Sequence, residues 1–69
     1  MNLYDPITGE KLDLYVKDNN ESCFQCDETR AVRCIQLALN LSEDEVIRRL
    51  QNSDIDNPVQ MGNELFWVE

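Results

Sequence analysis

The chain has sixty-nine residues, of which fourteen are acidic and six basic, for a formal charge of −8 with no histidine. A chain this short builds one core, burying roughly 60% of the surface its unfolded form exposes. An apolar share of 42% is enough for that core and excludes a disordered acidic tail. No apolar run approaches the ~20 residues a bilayer crossing requires, and Met1 to Pro6 has neither the basic nor the apolar part of a secretory signal. Three cysteines are an odd count, so the reading is a reduced, cytoplasmic, soluble protein rather than a disulfide-stapled module.

The first segment alternates. Leu12, Leu14 and Val16 share one side and Asp13, Tyr15 and Lys17 the other, as in a half-buried strand. Asp5 to Glu10, with Pro6 and Gly9, reads as the loop of an N-terminal hairpin, and Asp18 to Ser22 as an exposed turn.

The main helix is expected from Glu28 to Asn40 with Asp27 as N-cap. Its apolar residues, Ala31, Val32, Cys34, Ile35, Leu37, Ala38 and Leu39, cover more than half the circumference, which predicts a helix central to the fold. A second helix starts at a capping box, Ser42 with Glu45, and Leu41 and Val46 suit a hydrophobic staple across it. Glu43, Asp44 and Glu45 complement the positive end of its dipole, and Arg48 and Arg49 approach the negative end. The helix is expected to stop near Asn52. Val59 to Met61 and Glu64 to Val68 then flank Gly62-Asn63, a two-residue hairpin turn. The fold class that follows is α+β: an N-terminal β-hairpin, two helices in a helix-turn-helix arrangement, and a C-terminal β-hairpin.

Over residues 27–68 this order resembles the second half of a winged helix-turn-helix domain, with 39–50 similar to the turn and recognition helix and the last hairpin to the wing. The resemblance implies DNA reading, with Arg30, Arg33, Arg48 and Arg49 as the contacts. It would also set Glu43, Asp44 and Glu45 against the phosphates, which disfavours nucleic acid.

Cys23-Phe24-Gln25-Cys26 has the spacing of half a zinc site, and Cys34 follows seven residues later. A structural zinc needs four ligands and there is no histidine, so Cys23 and Cys26 stand as an incomplete metal motif and no cofactor is expected. As a dithiol switch the pair has Asp27 and Glu28 working against a reactive thiolate. Hydrolytic chemistry lacks a base near pH 7 and every phosphate-loop or nucleophile motif, so the chain is read as a non-enzyme.

Charge is uneven. Residues 1–29 carry −5, residues 30–53 carry +1 with every arginine, and residues 54–69 carry −4. The expected function is therefore binding: a small acidic regulator or inhibitor, of the kind of phage-type nucleic-acid mimics, docking on a basic surface of a larger protein through Asp5, Glu10, Asp13, Asp18, Asp54, Asp56 and Glu64. A DNA-binding regulator is the second reading and a small zinc module the third. No membrane partner is expected.

Overall fold

A computed structural model describes residues 3–19 and 21–69. The elements in chain order are β1 (Leu14–Lys17), β2 (Cys23–Gln25), α1 (Glu28–Leu39), α2 (Glu43–Gln51), β3 (Val59–Met61) and β4 (Glu64–Val68). The fold class is α+β, as the sequence indicates.

Both helices begin where a short polar side chain can satisfy an orphan amide. Asp27 accepts from the Arg30 N–H (3.3 Å) and Ser42 Oγ accepts from the Glu45 N–H (3.2 Å). The reciprocal half of the expected capping box is not formed, because the Glu45 carboxylate turns along the helix to Arg48 and Arg49. Helix α1 stops because Asn40 takes the left-handed conformation (φ 55, ψ 48), which asparagine tolerates better than most residues. The Leu41 N–H then reaches back to the Gln36 carbonyl (3.1 Å), and Leu41 packs against the core. At the end of α2, Ser53 is buried and its hydroxyl donates to the Leu50 carbonyl at 2.6 Å.

The four strands form one antiparallel sheet in the order β2-β1-β4-β3. Its closure is long-range: β1 pairs with β4, setting Val16 opposite Phe66 and Tyr15 opposite Trp67. The last hairpin is thus half of a sheet rather than a ribbon standing apart. Gly62, at φ 61, occupies the first central position of its two-residue turn, the place where a tight hairpin turn of this kind requires positive φ.

The N-terminal loop closes around Asp5, whose carboxylate accepts from Ile7 and Thr8, and an isolated bridge joins Tyr4 to Lys11. Among the described residues the regular strand starts at Leu14. The turn expected over 18–22 includes Asn20, which lies outside the described residues. Its flanks meet, with the Asp18 N–H donating to the Ser22 carbonyl at 3.2 Å.

One face of the sheet carries the core. Leu14, Val16, Phe66 and Val68 pack with Ala31, Val32 and Ile35 of α1 and Val46 and Leu50 of α2, with Leu3 added from the N-terminal segment. Each fully buried aliphatic side chain contributes about 1.5–3 kcal/mol relative to exposure. Two expectations change here. Segment 23–25, read only as a cysteine motif, is an edge strand. Helix α1 is not central: it lies on one face of the sheet, and Cys34, Leu37, Ala38 and Leu39 are exposed, Leu37 at 80%. A two-layer fold of this size offers a helix only one neighbour face, so an arc wider than that face has nothing to bury its surplus.

On the opposite face of the sheet, Trp67 stacks on Tyr15 with ring centroids 6.1 Å apart. Trp67 is only 5% exposed, and its indole N–H finds no hydrogen-bond partner among the described residues.

Candidate functional site

The seven acids expected to form a binding surface are spread over five places. Asp5 and Glu10 lie in the N-terminal loop, Asp13 precedes β1, Asp18 follows it, Asp54 and Asp56 lie between α2 and β3, and Glu64 opens β4. Three of them also hold their own turns. Besides Asp5, Asp18 accepts from the Ser22 N–H (3.1 Å), and Asp54 accepts from Asp56 and Asn57 (2.8 Å each). The amides of Ile7 and Thr8 hold the Asp5 carboxyl below its ordinary range.

Two of the seven, Asp13 and Glu64, line clefts together with Asp27 at the start of α1. A polar cleft of about 180 Å³ between the N-terminal segment and the start of α1 is lined by Lys11, Asp13, Gln25, Cys26, Asp27 and Glu28. Gln25 donates to Asp13 across its mouth at 3.1 Å. The cleft shares Cys26 and Asp27 with a larger groove of about 400 Å³ that runs between α1 and the sheet, from Phe24 of β2 to Met61 of β3. The groove is apolar inside, with Val16, Phe24, Ala31, Met61 and Phe66, and bears Asp27, Arg30, Cys34 and Glu64 around it. Burial pushes the Cys26 thiol up, and the charges of Asp27, Glu64 and Glu28 push it further the same way. A negative field thus converges where the two clefts join.

The cysteine motif takes a different shape from a metal half-site. Zinc knuckles present two thiols from a tight turn, whereas here the chain is extended and its ladder continues to Cys26, whose N–H donates to the Leu14 carbonyl. Alternation sends Cys26 to the helix face, where it packs on the core, and Cys23 to the other face, where it is exposed. Cys34 is exposed on α1, and all three are free thiols. Among the described residues no group of three His, Cys, Asp or Glu is placed to hold a metal ion.

The four arginines do not converge either. Arg48 and Arg49 are both tied to Glu45, at 2.6 and 3.2 Å, beside an open cavity of about 480 Å³ that also involves Leu39 and Pro58. Those contacts hold the Glu45 carboxyl below its ordinary range. Arg30 borders the groove and Arg33 is exposed on α1. Glu43 and Asp44 stand exposed on the first turn of α2, the position that a recognition helix would press onto DNA.

The surface with both shape and apolar character is therefore the β2–α1 groove, not the acidic loops. Its sequence signal was Cys34 in the apolar arc of α1, together with Phe24, which is 50% exposed. No helix among the described residues is long and apolar enough to cross a membrane. No protein-family model matches the chain, and no curated protein or solved structure does either. The class that the fold itself defines is a small α+β domain, a four-stranded antiparallel sheet with two helices on one face.

Proposed function

We propose that the protein is a small acidic binding protein without catalytic activity, a regulator or inhibitor that docks on a basic surface of a larger protein in the cytoplasm. The observation that carries this reading is the state of its charges. The two ion pairs among the described residues both end on Glu45. Neither involves Asp5, Glu10, Asp13, Asp54, Asp56 or Glu64, so these acids retain their charge for an incoming cation. An uncompensated excess of −8 on so small a surface attracts a basic partner and speeds encounter with it. Acids that also cap turns are held in place before docking, which lowers the ordering cost of binding.

The test is capture from a lysate of the native host on immobilised protein, eluted with a salt gradient. A basic protein released by moderate salt, and lost when Asp5, Asp13 and Asp54 are all changed to serine, is the expected result. A captured protein that stays bound at high salt, or that ignores the triple substitution, overturns the reading.

A further inference from the structure

We infer that the exposed edge of β2, together with the groove between β2 and α1, receives an extended segment of the partner as a fifth strand, one with apolar side chains alternating with lysine or arginine. This rests on the reading that the partner is a basic protein, and it names where on this chain the contact is made and by what kind of segment.

The two edges of the sheet are unlike. In the β1–β2 ladder, the Cys26 N–H reaches Leu14 and the Asp18 N–H reaches Ser22, so the hydrogen-bonded partners alternate through Val16 and Phe24. The N–H and C=O groups of Cys23 and Gln25 therefore face away from β1, toward solvent, two donors and two acceptors in line. At the other edge, Pro58 precedes β3 and has no N–H, and the Gln60 side-chain amide is turned back onto the Gly62 carbonyl at 3.3 Å. A proline beside an edge is one of the devices that stop a sheet from adding strands. β2 is also short, three residues, but it carries no proline and no charged side chain.

An added strand sends alternate side chains to each face of the sheet. On the helix face they enter the near end of the groove, where Phe24, Ala31 and Cys34 offer apolar contact. Between the groove and the polar cleft, Asp13, Asp27, Glu28 and Glu64 outnumber Lys11 and Arg30. Burial raises the Cys26 thiol most, and three of those acids push it the same way. Main-chain bonds at an edge joined to a side-chain pocket are a recurrent way to bind peptides. A second copy of this chain could also pair edge to edge, but each copy carries −8, and the charge complementarity selects a basic strand instead.

The experiment selects peptides from a random displayed library on the intact protein and synthesises the consensus. The expected consensus alternates apolar residues with lysine or arginine. Its binding slows hydrogen exchange at the Cys23 and Gln25 amides while leaving Phe24, already paired, unchanged. Gln25→Pro removes an outward N–H without touching the ladder, and Cys34→Arg puts a cation beside an apolar wall. Each weakens the peptide by more than about tenfold. If Gln25→Pro fails to fold, Cys34→Arg carries the test, because its site is exposed. A consensus without basic residues, unchanged exchange at both amides, or full affinity in the folded variants overturns the inference, as does a dimer paired through β2 in sedimentation. If a host protein is captured in the salt-sensitive way described above and ignores both substitutions, the docking reading stands and the edge is wrong.

Discussion

Leu3 and Glu28 are joined across twenty-five residues: the Leu3 N–H donates to Glu28 Oε2 at 3.0 Å, in a partly buried setting. Leu3 itself is fully buried, so this bond anchors the N-terminal segment under the first turn of α1. Glu28 also sits at the positive end of the helix dipole, and one carboxylate thus serves both the N-terminal segment and the start of α1. Glu28→Ala is expected to cost about 1–3 kcal/mol, as for a lost bond to a charged group. Glu28→Gln keeps an acceptor and should recover most of it. Urea unfolding followed by the fluorescence of the single tryptophan measures both, and an unaffected midpoint in Glu28→Ala contradicts the anchoring.

Helix α1 has two faces that the sequence alone does not distinguish. Ile35 is fully buried and Leu37, two residues on, is largely exposed. Ile35→Ala should cost about 2–5 kcal/mol, and Leu37→Ser should stay within about 0.5 kcal/mol. Equal costs in denaturant midpoints would place α1 in a different orientation.

Trp67 combines a large buried ring with a donor that lacks a partner. Leaving a buried N–H unpaired costs about 1–3 kcal/mol, so removing it offsets part of the area lost in a smaller ring. Trp67→Phe should therefore cost no more than about 1 kcal/mol, while Trp67→Ala should cost about 3–5 kcal/mol. Circular dichroism melts give both values. A Trp67→Phe variant as damaged as Trp67→Ala would mean the indole is satisfied.

The Asp5 and Glu45 carboxyls titrate below their ordinary values, by amide hydrogen bonds in one case and by Arg48 and Arg49 in the other. Their ionised forms therefore favour the fold. That contribution is complete above the ordinary carboxylate range and is lost as pH falls through the lowered values. Stability should decline on strong acidification, and Asp5→Asn with Glu45→Gln should flatten the decline. Thermal melts across the acid range check this; an unchanged slope removes both groups as its source.

Thiol reactivity should follow burial and field. Cys26 is partly buried with its thiol pushed up, and Cys23 and Cys34 are exposed. A thiol reagent near neutral pH should label Cys23 and Cys34 quickly and Cys26 slowly. Three equal rates would deny the negative, partly closed setting of Cys26.

What the chain states locally was legible. Asp27, Asn40 and Ser42 bound the helices, and Gly62 makes the last turn, because caps and tight turns need only a few neighbouring residues. The acidity of the loops and the arginine-bearing centre were likewise there to be counted. Tertiary structure decided the rest. Pairing of Val16 with Phe66 spans fifty residues, and no local pattern records it. Three residues, Cys23 to Gln25, carry too short an alternation to declare a strand, and only β1 beside them makes them one. The wide apolar arc of α1 predicted a helix central to the fold. The sheet could cover only one side; of the surplus, Cys34 lines the groove and Leu37 and Ala38 are exposed. Asp27 and Glu28 follow Cys26 directly in the chain, but Glu64 joins them only because β4 pairs with β1 in the sheet, and charge counted along a chain cannot anticipate that approach.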